Sequence, residues 1–199
     1  MACSQPAAEP EAKGQSDSLI VGGTTANIGE WEGMIQTEND SQAWCGATLI
    51  APEWAVSAAH CVVADLGTNG GFDRAVLGRQ NTSAGGGEVI QITQVIKHAQ
   101  YNEETHENDI ALLKLAKKSK QKPVRLVTAE EWTTLNKVGT NVTVIGWGRV
   151  KDGGQVSDTL RQVTVPTIST TECNTQYEGI IDERQVCAGL KAGGKDSCQ

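Results

Sequence analysis

The sequence predicts an all-β fold, a sandwich or barrel assembled from many short strands. From Leu19 onward, short apolar runs are separated by glycine-rich breaks, of which the clearest lie at 69–71, 84–87 and 151–154. Several runs alternate polar and apolar residues as half-buried strands do, whereas helical periodicity is weak along the whole chain. No internal sequence repeat is visible.

Composition indicates one globular domain, or two fused half-domains, preceded by a leader. The 199 residues are 38% hydrophobic and include 22 glycines, which fits a loop-rich globular protein. Residues 1–18 are instead mostly small, polar or charged. They cannot bury enough apolar surface to offset the entropy lost on ordering, so we expect a flexible leader.

The charge balance argues against nucleic acid as a partner, because the formal net charge is −7. Basic residues are scattered except in one short run, which is either a solvated loop or a local anion patch. No stretch approaches the roughly 18 consecutive apolar residues of a membrane span, so none is predicted. The basic run contains Lys117, Lys118, Lys120 and Lys122.

Three segments carry the strand pattern most clearly. Residues 88–97 are rich in strand formers and place Ile90 and Ile92 on one face. Residues 141–145 alternate around two valines, and residues 160–165 form a run that we expect to end at the following proline. These segments predict strands on both sides of the chain's midpoint.

One short helix is predicted at 128–135. Thr128 is followed three residues later by Glu131, the spacing of a capping box, in which each side chain bonds to the other residue's backbone N–H. The helix is expected to be a connector within a β protein.

The strongest candidate for chemistry is His60, which directly precedes Cys61. Cys45 lies upstream across an apolar segment, and a disulfide closing a hairpin here would hold the imidazole at a fixed place. A disulfide around a loop of this size contributes roughly 3 kcal/mol in the chain-entropy model. A structural histidine beside a structural disulfide is the alternative interpretation of these residues alone.

Asp109 is the second candidate, because it opens the apolar run 110–115. A carboxylate entering a buried strand needs hydrogen-bond partners, and a histidine is a fitting one. A turn or cap role is the alternative for an aspartate at the start of a strand.

Together, the segments around His60 and Asp109 resemble the chymotrypsin and trypsin family of serine proteases. Three other stretches also match the family, and all five occur in the family's order along the chain. The resemblance covers about residues 19–199. They are Ile-Val-Gly-Gly at 20–23, Gly-Trp-Gly at 146–148, and Asp-Ser-Cys-Gln at 196–199 after Cys-Ala-Gly at 187–189.

The resemblance implies that His60 is the general base and that Asp109 fixes its tautomer and stabilises the imidazolium. In the family, a Gly-Asp-Ser-Gly-Gly segment with the nucleophile and the oxyanion-hole amides comes next after the position of Gln199. We therefore expect a serine endopeptidase precursor whose residues 1–199 are inactive alone. The alternative is a non-catalytic homologue that acts as a binding or regulatory module.

The resemblance also implies a chymotrypsin-like double β-barrel with the active site in the cleft between barrels. The expected domains are a leader or propeptide at 1–19, a first barrel at 20–126, and a partial second barrel at 127–199. The second barrel is expected to be incomplete in this chain, and the protein to be a monomer.

Specificity and activation follow from the same resemblance. Asp196 would lie at the floor of the pocket that receives the side chain before the scissile bond, favouring Arg or Lys; a surface turn is the alternative. Cleavage after Leu19 would release a new amino terminus at Ile20. Family zymogens usually carry Arg or Lys where Leu19 stands, so a separate activating protease is expected, alongside protein or peptide substrates.

The resemblance pairs four of the six cysteines and leaves one for a downstream partner. Disulfides favour an oxidising compartment, so we expect a secreted, periplasmic or cell-surface protein. Cys3 is left over, either as an unpaired leader cysteine or as a lipid-bearing residue. The implied pairs are Cys45 with Cys61 and Cys173 with Cys187, and Cys198 awaits its partner.

No cofactor and no metal are predicted. Calcium-binding family members place carboxylates in the loop near 78–88, but Arg79 stands where the first is expected, and Glu88 alone would not hold Ca²⁺. The acidic residues and His106 between 103 and 109 match no zinc signature, and the glutamates among them are interpreted as a solvated loop.

Overall fold

The computed structural model describes residues 19–21, 23–63, 66–67, 69–149, 155–175, 177, 179–182, 184–190 and 196–198. For 19–21 and 196–198 it describes the backbone only. The leader 1–18 and the glycine-rich break at 151–154 lie outside the described residues. The chain divides into two compact units: Asn27–Leu126 is one, and the residues up to Ala26 together with those from Val127 onward form the other.

The described strands and helices are short, as the sequence predicts. Two single turns of 3-10 helix lie at Ile28–Glu30 and Ala59–Cys61. The two α-helices are α1 (Ala129–Leu135) and α2 (Thr170–Cys173). The strands are β1 (Leu19–Val21), β2 (Thr24–Thr25), β3 (Met34–Asn39), β4 (Gln42–Ala51), β5 (Trp54–Ser57), β6 (Arg74–Leu77), β7 (Glu88–Lys97), β8 (Ala111–Leu115), β9 (Asn141–Gly146), β10 (Arg161–Ile168), β11 (Cys187–Ala188) and β12 (Asp196–Cys198).

Six strands of the Asn27–Leu126 unit close into an antiparallel barrel in the order β3-β4-β5-β8-β7-β6. Strand β8 buries every second residue, Ala111, Leu113 and Leu115, because successive side chains of a strand point to opposite faces. A one-residue slip would turn these side chains to solvent, so the core fixes the register. The barrel core includes Ile35, Leu49, Phe72, Leu77, Ile90, Leu113 and Leu115.

Strand β10 is the centre of the sheet in the other unit, where it pairs with β2, β9 and β11. Its buried residues Val163 and Val165 pack with Ala188. The strand runs through Pro166 to Ile168, beyond the end that we predicted. Pro166 stands opposite Asn141, the last pair of the ladder with β9, where a missing N–H is tolerated.

The architecture confirms the predicted fold class: an all-β chain with a closed barrel and a second sheet, consistent with a chymotrypsin-like double barrel. Strand β7 has the predicted bounds. Helix α1 begins after Thr128, and both bonds of its capping box with Glu131 form. Within the described residues, every helix is too short or too polar to cross a membrane.

Candidate active site

His60 lies in the 3-10 turn Ala59–Cys61 that follows strand β5. Its position is fixed by the neighbouring disulfide Cys45–Cys61, which ties the turn to strand β4 with Cα atoms 6.4 Å apart. The Trp44 indole Nε1 donates to the Cys61 carbonyl over 2.9 Å. The Ser57 hydroxyl donates to the Gly46 carbonyl over 2.7 Å on the other side of the turn. The imidazole therefore projects from a backbone that is held on both sides.

Asp109 lies in the turn that leads into strand β8. Asn108 before it has φ 56°, a left-handed conformation that asparagine tolerates better than most residues. The Asn108 side-chain amide donates to the Gln100 carbonyl over 2.9 Å, and His98 N–H donates to the Ile110 carbonyl over 3.0 Å. These bonds fix the turn, and with it the direction of the Asp109 carboxylate.

The side chains of His60 and Asp109 meet although they lie 49 positions apart in the sequence. His60 Nδ1 lies 2.7 Å from Asp109 Oδ2, and the His60 backbone N–H donates to Asp109 Oδ1 over 2.8 Å. Each side chain is 18% exposed. Because an ionised carboxylate only accepts hydrogen bonds, Nδ1 carries the ring proton and Nε2 of the neutral ring keeps its lone pair. This arrangement can accept a proton at Nε2.

The environment keeps Asp109 ionised. Burial acts to raise the pKa of its carboxyl, but the hydrogen bonds from the His60 ring and backbone, together with the neighbouring imidazoles of His60 and His106, outweigh burial and hold that pKa below its usual range. At neutral pH the group is therefore an acceptor for the His60 ring.

A second histidine lies beside this pair. The ring centroids of His106 and His60 are 6.3 Å apart with planes at 88°, and Tyr101 Oη lies 3.2 Å from His106 Nδ1. Burial, followed by the negative charges of Asp109 and Glu103, raises the pKa of Tyr101 to about 12. The His106 ring is half-buried.

One cluster in the described residues has the composition of a metal site. Ligand-type atoms of Cys45, His60 and Cys61 lie within 4.8 Å of one another. The two sulfurs are bonded to each other, so neither is a thiolate. The imidazole is then the one remaining ligand of this cluster, and its Nδ1 is engaged by Asp109.

Arg79 closes the loop between β6 and β7. Its Nη1 donates to Glu38 Oε1 over 2.6 Å and to Gln36 Oε1 over 3.1 Å, and its Nε donates to the Gly86 carbonyl over 3.2 Å. The Arg79 side chain is 11% exposed and that of Glu38 is 7% exposed. A buried guanidinium thus holds the loop in which calcium-binding family members would carry carboxylates.

The remaining predicted site residues lie in the other unit. The Cys173–Cys187 pair is bonded, with Cα atoms 6.3 Å apart. For Leu19, Ile20 and Asp196 the structure gives backbone pairing alone. Strands β1 and β12 run antiparallel, with Leu19 opposite Cys198, Ile20 opposite Ser197 and Val21 opposite Asp196. The Asp196 side chain lies outside the described part of the structure.

Comparison with known proteins identifies the family. The sequence model described as Trypsin matches residues 20–199. The chain is 35% identical over 181 residues to a trypsin of Saccharopolyspora erythraea, which covers 90% of this chain and 78% of that protein. It is 34% identical over 192 residues to trypsin-1 of Astacus astacus, with the same coverage, and 33% identical over 188 residues to a trypsin of Xenopus laevis, covering 92% of this chain and 73% of that one. With a closed barrel and a second sheet beside these matches, the chain belongs to the trypsin-like, chymotrypsin-family serine proteases.

Proposed function

We propose that this protein is a secreted or surface serine endopeptidase precursor in which His60 is the general base and Asp109 orients it. The observation that carries the proposal is the 2.7 Å contact between His60 Nδ1 and Asp109 Oδ2. It leaves Nε2 of the neutral ring as the proton acceptor, which is the state that a general base needs. The two disulfides agree with an oxidising compartment.

The proposed reaction follows the acyl-transfer mechanism of the family. His60 Nε2 takes the proton of a serine hydroxyl as the oxygen attacks the peptide carbonyl. The resulting imidazolium keeps its Nδ1–H bond to the Asp109 carboxylate, which stabilises the positive charge. Nε2–H then donates its proton to the leaving amine, and water repeats the sequence on the acyl-enzyme.

The nucleophile and the oxyanion-hole amides belong to the family segment expected after the position of Gln199. Without an attacking oxygen, the dyad has no acyl-transfer path. We therefore expect residues 1–199 alone to show no peptidase activity. Turnover of a peptide ester by these residues, lost in His60→Ala, would refute this part of the proposal.

We propose that Asp196 gives the enzyme a preference for cleavage after Arg or Lys. A carboxylate in a narrow pocket pairs with a guanidinium or ammonium, whereas an apolar side chain would leave it desolvated and unpaired. Losing one partner of such a pair costs roughly 2–5 kcal/mol, so Arg or Lys substrates should exceed Phe substrates at least about tenfold in kcat/KM. In the Asp196→Ser variant, the preference for Arg and Lys substrates over Phe substrates in kcat/KM should be lost.

Activation is proposed to occur by cleavage after Leu19. The new ammonium of Ile20 would be buried against the aspartate of the expected Gly-Asp-Ser segment, because a buried charge requires a close counter-charge. Leu19 is a poor site for a protease that cleaves after Arg or Lys, so a second protease would act. Amino-terminal sequencing of the active form should start at Ile20; full activity with the leader attached would contradict this step.

The decisive experiment uses the protein expressed from its full reading frame and activated. His60→Ala should abolish cleavage of an Arg peptide, whereas the matched variant His98→Ala should keep wild-type kcat/KM, because His98 is exposed and its Nδ1 accepts from Gln100 N–H. Equal activity of His60→Ala and wild type would overturn the proposal. A folded wild-type protein that cleaves no substrate would instead identify a non-catalytic homologue.

A further inference from the structure

The four lysines between 117 and 122 follow strand β8 at the end opposite to Asp109. We call residues 117–122 the lysine ribbon. A five-residue strand spans about 17 Å, so the ribbon lies well away from the His60–Asp109 contact. It is a separate surface of the barrel unit.

From Lys118 to Lys122, exposed lysines alternate with half-buried residues. Ser119, Gln121 and Pro123 are half-buried, and the residues between them are exposed, as is Lys117. A Cβ added to Gly78 would lie 3.0 Å from Gln121 Nε2, which shows that Gln121 lies against the barrel. Successive exposed lysine Cα atoms are separated by at most about 7 Å of chain. The four lysine side chains therefore leave the chain within one short stretch.

The backbone of the ribbon is held in place by hydrogen bonds to the barrel. Ser119 N–H donates to the Pro52 carbonyl over 2.8 Å. One oxygen of Glu88, Oε2, accepts from Ser119 Oγ over 2.7 Å and from Lys120 N–H over 2.8 Å. Beyond the ribbon, Val124 N–H donates to the Leu49 carbonyl over 2.8 Å. A partner would bind a preformed surface and would not have to order a loose loop.

The positive charge of the ribbon is not neutralised by the residues that the structure describes. None of its four ammonium groups forms an ion pair or hydrogen bond there. The Glu88 carboxylate is occupied by a hydroxyl and a backbone N–H, and Glu53 pairs with Lys114 over 3.2 Å. The full chain has a formal net charge of −7, so the ribbon is a locally positive region on an acidic protein.

We propose that the lysine ribbon is a docking surface for an acidic segment of a protein partner. Exposed apolar side chains of Val124 and Leu126 continue the strip beyond Lys122. A strip that is first basic and then apolar fits a polypeptide that carries carboxylates beside apolar side chains. A polysaccharide has no apolar side chains to match the second part of the strip. Ammonium groups act as point charges, so they suit carboxylates in varied orientations. This surface goes beyond the proposed peptidase activity and does not depend on it.

The test measures binding of the full 199-residue chain to a labelled Asp/Glu-rich peptide that contains two leucines, with an Asn/Gln version of the peptide as reference. Binding should be specific to the acidic peptide and should weaken with added salt. The variant Lys118→Gln/Lys120→Gln/Lys122→Gln should bind at least about fivefold more weakly. The matched variant Lys97→Gln/Lys137→Gln/Arg184→Gln removes three positive charges outside the ribbon and its neighbouring strand end, and should stay within about twofold of wild type.

Three results would overturn the proposal. The first is no binding of the acidic peptide at low salt, and the second is equal weakening in both triple variants. The third is a preference for dextran sulfate or for anionic lipid vesicles over the peptide, which would assign the ribbon to another class of partner. Circular dichroism checks the fold of each variant; if the ribbon triple variant is unfolded, the single variants Lys120→Gln and Lys122→Gln should each weaken peptide binding relative to Lys137→Gln.

Discussion

Asp109 contacts His60 twice, with Oδ2 against the ring Nδ1 and Oδ1 accepting from the His60 backbone N–H. One carboxylate thus fixes both the orientation of the imidazole and the turn that carries it. An asparagine at this position could keep both contacts only by turning its NH₂ group toward the ring, so that Nδ1 accepts and the ring proton moves to Nε2.

The first prediction concerns acid stability. The folded pKa of Asp109 is lowered, so its ionised form contributes stability that is fully present above the unfolded value of about 3.9 and is lost as pH falls through the lower folded value. Asp109→Asn should be less stable at pH 7 and should lose less further stability on acidification than wild type. Urea unfolding across this range measures the difference.

Asp182→Asn is the control for that measurement. Its carboxyl pKa is also lowered, by the hydrogen bonds of the Arg184 side chain and backbone, but its side chain is 31% exposed against 18% for Asp109. The Asp182→Asn substitution should therefore change the acid dependence of stability less than Asp109→Asn does. Parallel acid profiles for wild type and Asp109→Asn would contradict the prediction.

The second prediction separates the two disulfides. They enclose loops of similar size, with sequence separations of 16 and 14, so removing either by paired Cys→Ala changes should cost roughly 3 kcal/mol of unfolding free energy. Loss of the Cys45–Cys61 bond alone should also shift the NMR signals of the His60 ring, because Cys61 adjoins that residue. Equal effects of both removals on those signals would show that the disulfide does not position His60.

The third prediction concerns Arg79. Glu38 is paired with Arg79 over 2.6 Å and with Arg74 over 2.9 Å. Breaking a buried pair typically costs 3–5 kcal/mol, and because Arg74 remains, Arg79→Met should cost roughly 2–3 kcal/mol. Adding Glu38→Gln to Arg79→Met should recover part of the loss. Neither Ca²⁺ nor EDTA should shift the Tm of the wild type; a rise with Ca²⁺ would contradict this account of the loop.

The fourth prediction concerns Tyr101. With a pKa of about 12, its phenol should be only about one-tenth ionised at pH 11, where an ordinary tyrosine is mostly ionised. Ultraviolet titration of Tyr177→Phe isolates the signal of Tyr101, and circular dichroism confirms that the fold persists. Asp109→Asn should lower the pKa of Tyr101, because it removes a neighbouring negative charge. An unchanged titration would mean that the two groups do not interact.

The fold was predictable where local pattern decides it. Residues 88–97 are rich in strand formers, and the threonine and glutamate of the capping box are close in sequence. Strand β7 therefore has its predicted bounds, and helix α1 differs from its prediction by one residue. Strand β10 runs past its predicted end because the position of Pro166 at the end of a ladder depends on its pairing partner. The local sequence does not indicate which residue pairs with Pro166.

The site was predictable only through resemblance to a family. His60 and Asp109 are separated by 49 positions, and no local rule joins them. The position of His106 beside His60 was not predicted, because His106 has a φ of 53° and a positive φ at a histidine has no clear sequence signal. The pairing of Glu38 with Arg79 was not predicted either, because the two residues are 41 positions apart in the sequence.

The most direct test of the account is the ¹H NMR signal of the His60 ring proton at Nδ1 in the 199-residue chain. A proton held between Nδ1 and an ionised carboxylate over 2.7 Å should be strongly shifted downfield and protected from exchange with water. The signal should vanish in His60→Ala, be lost from its downfield position in Asp109→Asn and persist unchanged in His98→Ala. A folded wild-type chain that lacks a downfield signal, or a signal that Asp109→Asn leaves unchanged, would contradict the assignment of His60 and Asp109 as a catalytic pair.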